Sequence, residues 1–261
     1  MKKIIHVVII DYFKADQVKE AIDSIRKQSY DQSLIDITVI DNSCNLKNFT
    51  KLSEIRDIKL IKSLQNIGYV SAVNKALREH QRPSDITLLL NPDILFPCRN
   101  SFSILLNNFK NSKCHILGPS QINHDGSRPS TVRNYPHLKE LITKRTLLKY
   151  TNWGKSNISN YLMADFDYSK KQAVPWLQSS CVFIRTEFLN KANFLNEKYK
   201  LFMADIEICR TAYNLGGEVI YDPTIQVIAD GVRCSDGGVF SLFKSRALRI
   251  HIIDALKYYL T

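Results

Sequence analysis

A chain of 261 residues with 44% apolar and 23% charged residues has the length and composition of a globular protein with a sizeable core. No apolar run approaches the roughly 18 to 20 uncharged residues that cross a bilayer, and Cys44, Cys98, Cys114, Cys181, Cys209 and Cys234 lack the spacing of a zinc site or a disulfide framework, so reduced cytoplasmic thiols are expected. The formal charge of +11 calls for an anionic partner and leaves open a nucleotide diphosphate, an anionic membrane face or nucleic acid; a solvated basic surface accounts for it equally well.

Met1-Lys2-Lys3 followed by Ile4 to Ile10 has the charge-then-apolar order of a signal peptide. The run stops at Asp11 with no small-residue cleavage site, and its β-branched content is that of a strand buried on both faces. The pattern then predicts a helix over 18–28, a strand over 35–40, a strand over 58–61, a helix over 70–79 and a strand over 86–90. Strand-helix alternation of this kind builds a doubly wound, mostly parallel sheet that receives ligands at the carboxyl ends of its strands. Polar residues stand at those ends: Asp11, Asp41-Asn42-Ser43, Asn66 with Gly68, and Asn91-Pro92-Asp93. Taken singly, each is an ordinary turn or cap residue; four in succession at one sheet edge point to a site.

Residues 119–175 are rich in Gly, Pro, Ser, Asn and basic residues and read as a long irregular insertion. Val174-Pro175-Trp176 and Cys181 to Arg185 follow as strands of a smaller mixed sheet, then a helix over 205–215 closed by Gly216-Gly217, and a strand over 218–221. The stretch Val239 to Leu260, with Lys244, Arg246, Arg249 and Lys257, is helical and suited to packing on the core, pairing with a second copy or lying against a membrane.

Sugar transfer from a nucleotide diphosphate is one chemistry that two carboxylate sites satisfy. A hard divalent cation beside the phosphates neutralises the leaving group and takes few protein carboxylates, a role for which Asp93 is placed. A second carboxylate must remove the acceptor proton from the face opposite the leaving group if the anomeric centre inverts. Asp205 is the candidate, although an acid in the first turn of a helix is also an ordinary dipole partner.

On the ordered set Ile9-Ile10-Asp11-Tyr12, Val39 to Ser43, Asn66 to Tyr69 with Asn74, Leu90 to Ile94, Asp125-Gly126-Ser127 with Arg133 and Pro136, Val174 to Trp176, and Phe202 to Arg210, the chain resembles the inverting GT-A-fold glycosyltransferases of family 2 over nearly its whole length, and within them the bacterial rhamnosyltransferases of O-antigen assembly. The resemblance implies an α/β GT-A fold: a Rossmann-like, mostly parallel sheet flanked by helices, a smaller mixed acceptor-side sheet and a C-terminal helix. Residues 1–118 would form the nucleotide-sugar half, 119–238 the acceptor and catalytic half, and 239–261 the final helix. It implies that Asp11, Asp41, Asn66, Gly68, Asn91 and Asp93 line the donor, that Arg133, Trp176, Ser179 and Ser180 serve the acceptor, and that Asp205 is the base. The expected activity is inverting transfer, of L-rhamnose from dTDP-L-rhamnose, onto a polyprenyl-diphosphate-linked or oligosaccharide acceptor at the cytoplasmic face of the membrane, with Mg²⁺ or Mn²⁺.

Two positions depart from the family pattern. Ala204 stands where an acid usually precedes the base, and Val227-Ile228-Ala229-Asp230-Gly231 lacks the usual downstream His, leaving Asp230 as a substitute oxygen ligand for the metal. These departures keep a second expectation open, a catalytically impaired member that binds nucleotide sugar or a partner enzyme. A nucleotidyltransferase is disfavoured by Asp11-Tyr12-Phe13-Lys14, which has no glycine for a phosphate loop, and nucleic-acid binding by the lack of any accompanying motif.

Overall fold

The structure, a computed structural model, describes residues 2–232 and 246–260; Cys234, Val239 and Lys244 lie outside them. Strands β1 (Ile5–Asp11), β2 (Ile35–Asp41), β3 (Lys59–Lys62) and β4 (Ile86–Leu90) alternate with helices α1 (Ala15–Arg26), α2 (Leu46–Ser53) and α3 (Tyr69–Glu79), as the apolar periodicity predicts. Beyond them come α4 (Ser101–Leu106), β5 (Cys114–Asn123), β6 (Val132–Arg133), α5 (Leu138–Arg145), α6 (Asn152–Leu162), β7 (Gln172–Ala173), β8 (Trp176–Leu177), β9 (Cys181–Arg185), α7 (Thr186–Lys191), α8 (Ala204–Asn214), β10 (Glu218–Ala229) and α9 (Arg246–Leu260).

Eight strands form one sheet in the order β3-β2-β1-β4-β9-β5-β10-β7. The pairs β3–β2, β2–β1, β1–β4 and β5–β10 are parallel, whereas β9 runs antiparallel to both of its neighbours. Cys181–Arg185 is therefore not part of a smaller sheet, as its position beside Trp176 suggested, but a central strand of the large one. The small sheet is only β6 paired antiparallel with β8. The stretch expected to be irregular carries α5 and α6, and the expected strand over 218–221 continues to Ala229.

Each strand sends alternate side chains to opposite faces, so the sheet separates two cores. Ile5, Val7 and Ile9 join Val18, Ile22 and Ile25 of α1 on one side, where Phe96, Phe102 and Phe183 meet edge to face. Val8 and Leu89 join Val70 and Val73 of α3, Phe188 of α7 and Ile206 of α8 on the other. The 4- and 3-residue spacing of Val18, Ile22 and Ile25 is that of one helical stripe, which explains why α1 forms where it does.

Helix α9 packs on the second core through Ala255, Tyr258 and Tyr259, the first of the three uses expected for it. Its buried Asp254 carboxylate accepts the backbone N–H groups of Lys200, Leu201 and Phe202 at 2.9 to 3.2 Å. The Lys200 carbonyl in turn accepts Tyr69 N–H at 2.9 Å. Among the described residues no helix is long and apolar enough to cross a membrane.

Asp254→Ala leaves these amides without their acceptor, at a cost of about 1 to 3 kcal/mol for each group left unpaired. Denaturant unfolding is expected to show a loss of roughly 3 kcal/mol or more; a loss well under 1 kcal/mol would mean that the carboxylate does not anchor the helix.

Candidate functional site

Parallel register sets Asp11 directly opposite Asp41, and Ile9 opposite Leu90, so the polar residues that follow β1, β2 and β4 emerge along one edge. Both aspartates are fully buried. Asn48, on the inner face of α2, bridges them: its Nδ2 donates to Asp11 Oδ2 at 2.5 Å and to Asp41 Oδ1 at 3.2 Å. Asp11 Oδ1 accepts the Lys14 N–H and Asp41 Oδ1 accepts both the N–H and the hydroxyl of Ser43. Burial pushes the Asp11 carboxyl above the usual range, and Asp41 adds repulsion. Asp41 Oδ2 is buried and has no hydrogen-bond partner among the described residues, a costly state for a carboxylate oxygen.

Asn66 and Gly68 shape the loop into α3. Asn66 Oδ1 accepts Gly68 N–H, while Asn42 Nδ2 donates to Asn66 Oδ1 and to the Gly68 carbonyl. Gly68 has φ +85°, and a Cβ there would lie 2.7 Å from the Lys200 carbonyl oxygen. Glycine is thus required twice over, by backbone conformation and by close approach.

The turn after β4 begins where Asn91 N–H donates to the Ser180 carbonyl at 2.8 Å. Reciprocal backbone bonds between Leu95 and Ile228, at 2.9 and 3.0 Å, tie this turn to the end of β10. That pairing brings Asp93 against Asp230. Lys14 Nζ lies 3.2 Å from Asp230 Oδ2 and 4.0 Å from Asp93 Oδ1, and Gln17 Nε2 donates to Asp230 at 3.0 Å. Burial raises the Asp93 carboxyl and the facing Asp230 raises it further. At Asp230 burial also acts upward, but the Val232 N–H, Gln17 and Lys14 together hold it below the usual range.

Two facing carboxylates that repel one another fit a hard divalent cation, which commonly takes one or two protein carboxylates and completes its shell with water and phosphate oxygens. Among the described residues no third His, Cys, Asp or Glu joins them to complete a protein-only cage. Ala204, at the position of the missing acid, is buried in the second core.

Asp205 is the second residue of α8, after Met203, whose φ of +70° turns the chain sharply into the helix. Its side chain lines a narrow cavity with Tyr69, Leu177, Ser179 and Cys209. Burial pushes its carboxyl up to about 6, against the pull of the Arg133 guanidinium and the backbone N–H groups of Ile206 and Ser179. Tyr69 hydrogen-bonds the Ser179 side chain, and burial pushes its hydroxyl up to about 12. Arg133 is held in position by Ser130 O, which accepts from Nε at 2.9 Å, and by the rings of Trp176 and Tyr161 at 5.4 and 5.9 Å. Trp176 itself is 2% exposed, and its indole N–H donates to Asn134 O, so it offers Arg133 a ring face.

Two groups thus emerge, one around Asp93 and Asp230 and one around Asp205, and Ser179-Ser180 joins them. Ser180 holds Asn91 by its carbonyl and Gln121 by its hydroxyl, while Ser179 lines the cavity beside Asp205. Asn48, Lys14, Gln17 and Tyr161 escaped the sequence reasoning. Lys14 and Gln17 carry a signal in retrospect, a polar pair one helical step apart just past a strand end; Asn48 carries none, being one more polar residue on a short helix. A separate cavity of about 390 Å³ near α3 and α8 is lined by Asn74, Arg78 and Glu197, whose polar groups already bond to one another.

The chain is 20% identical over 181 residues to N-acetylglucosaminyl-diphospho-decaprenol L-rhamnosyltransferase of Mycobacterium tuberculosis, in two strains, a match covering 66% of this chain and 58% of those relatives. The fold is similar to that of a mannosyltransferase from Pyrobaculum calidifontis in complex with GDP-Man and Mn²⁺, with TM-score 0.63 and 13% identity over 100% of this chain and 65% of that one. It is also similar to Staphylococcus aureus TarS, with TM-score 0.57 and 16% identity over 88% of this chain and 36% of that one. Residues 6–172, most of the strand-end motifs among them, match the family pattern of glycosyl transferase family 2, and the chain belongs to that family.

Proposed function

We propose that this protein is an inverting glycosyltransferase that moves L-rhamnose from dTDP-L-rhamnose onto a lipid-linked or oligosaccharide acceptor in bacterial surface polysaccharide assembly, working at the inner face of the cell membrane. The observation that carries the reading is the place of the Ser179-Ser180 segment: the Ser180 carbonyl accepts Asn91 N–H at the start of the Asn91-Pro92-Asp93 turn, and Ser179 lines the cavity that holds Asp205. Family membership supports glycosyl transfer, and the name of the mycobacterial relatives supports rhamnose and a lipid-linked acceptor.

Asp11, Asp41, Asn66 and Gly68 form the nucleotide side, where the unpartnered Asp41 Oδ2 is ready to accept an N–H of the base. Asp93 and Asp230 would hold Mg²⁺ or Mn²⁺, which supplies positive charge to the departing diphosphate. Lys14 brings a second positive charge to the same place from the protein itself.

On the acceptor side, Asp205 takes the proton of the attacking hydroxyl as its oxygen bonds to the anomeric carbon. The bond from that carbon to the diphosphate oxygen breaks on the opposite face. Trp176, Ser179, Ser180 and Arg133 frame this side, and Arg133 keeps Asp205 from rising further, so that it is ionised at neutral pH and still basic enough to accept a proton.

Asp205→Asn is expected to lower kcat by about 10³-fold while leaving nucleotide affinity within twofold by titration calorimetry; retained turnover would sink the base assignment. In the wild type, kcat is expected to fall about tenfold for each pH unit below about 6 and to level off above it, because only the ionised carboxylate accepts the proton. A stability readout accompanies this. The folded protein favours protonated Asp205, so stability falls as pH rises from about 4 to about 6 and stays reduced above it, and Asn should raise Tm at pH 8 but not at pH 4.

Asp93→Asn and Asp230→Asn should each weaken Mn²⁺ binding about tenfold or more in the presence of nucleoside diphosphate, read by electron paramagnetic resonance. Unchanged Mn²⁺ affinity in both variants would remove these residues from the metal site.

A further inference from the structure

The α5–α6 hairpin carries a surface that the chemistry above does not use. Leu147 is 81% exposed, Tyr150 67% and Trp153 55%, with Leu148 beside them, so large apolar side chains cluster on one short turn and the start of the next helix. Single exposed apolar residues are ordinary, whereas a cluster needs a partner.

The charge around the cluster is one-sided. Between His137 and Met163 the chain has Lys139, Lys144, Arg145, Lys149 and Lys155, and its one acid, Glu140, is buried and takes up the His137 N–H. A Trp and a Tyr among leucines, with Lys149 Nζ 5.0 Å from the Tyr150 ring and exposed Lys155 two residues past Trp153, is the composition that settles at the headgroup level of an anionic bilayer. The turn is also rigidly mounted. Thr151 caps α6 through Gly154 N–H at 3.0 Å, and a Cβ on buried Gly154 would lie 1.8 Å from the Leu148 carbonyl oxygen, so helix and turn are in backbone contact.

The far end of the hairpin reaches the acceptor side of the site. Asn134 N–H donates to Tyr161 O at 3.0 Å, Asn134 Nδ2 donates to Asn160 O at 2.8 Å, and the Tyr161 ring lies against Arg133, the charged neighbour of Asp205.

We infer that Leu147, Leu148, Tyr150 and Trp153, with Lys149 and Lys155, form the membrane-docking surface of this protein, and that it seats on anionic lipid. The inference rests on the proposed membrane-face function and deepens it. Docked by this hairpin, the enzyme meets the bilayer with the side from which a lipid-linked acceptor arrives, and α6 spans the interval from lipid surface to Arg133.

The test is co-sedimentation of the full chain with vesicles of phosphatidylcholine containing about one-third phosphatidylglycerol, against pure phosphatidylcholine. Wild type is expected to bind only the anionic vesicles. Leu147→Ser/Trp153→Ser and Lys149→Gln/Lys155→Gln should each weaken binding about tenfold, while Leu215→Ser/Lys110→Gln, an exposed pair elsewhere, should not. Thermal unfolding and nucleoside-diphosphate titration on the same samples establish that the variants are folded and the donor side intact.

If wild type binds but the hairpin variants bind equally well, the hairpin assignment fails and membrane contact stands. If wild type binds neither vesicle, both fail, while donor binding reports separately on glycosyl transfer. A hairpin variant that changes oligomeric state by light scattering and leaves vesicle binding untouched would overturn the proposal in favour of an interface between copies.

Discussion

The Asp254 carboxylate is the constraint on which both halves of the site depend. Lys200, Leu201 and Phe202 turn sharply before α8, and a turn that tight leaves its amides without partners inside the segment. A buried anion from α9 satisfies three of them. The same turn presents the Lys200 carbonyl to the first turn of α3, seats Gly68 beneath it, and through Met203 starts the helix that carries Asp205. The loop expected to face the donor and the carboxylate expected to face the acceptor are thus fixed by one run of residues, whose geometry is set from the far end of the chain.

Elsewhere the site accepts local cost for chemical readiness. Asp11 and Asp41 stand side by side in a buried position where like charges repel, and Asn48 with Ser43 offsets only part of that. Asp93 and Asp230 repeat the arrangement with Lys14 as counter-charge. Asp205 is held with its carboxyl near neutrality by burial opposed by Arg133. Such concentrations of poorly satisfied carboxylates are out of place in a structural core and expected where charge will be handled.

Much of this was legible in the residues. Strands β1, β2 and β4 announce themselves because both faces are buried and most positions are apolar, and the polar residues at their ends mark the edge where they emerge. The placement of β9 was not legible: Cys-Val-Phe-Ile-Arg is a strand in any sheet, and what puts it between β4 and β5 is long-range pairing that short-range pattern does not carry. Helix α6 is hard to read from sequence because Trp153 is exposed and Ile158, Tyr161 and Leu162 are only half-buried, so no 3.6-residue apolar stripe stands out. The bridging role of Asn48 and the anchoring role of Asp254 depend wholly on which backbone arrives opposite them.

The insertion of β9 also bears on how the chain comes together during synthesis. β4 is complete at Leu90 and β5 at Asn123, yet neither can pair on its facing edge until Cys181 to Arg185 has been made. At ordinary translation rates β4 therefore waits roughly 5 to 20 s with the backbone N–H and C=O groups of one edge unpaired. In that interval the nascent chain is at its most vulnerable to pairing with a neighbour, so the ribosome-bound intermediate, rather than the finished protein, is where chaperone demand concentrates.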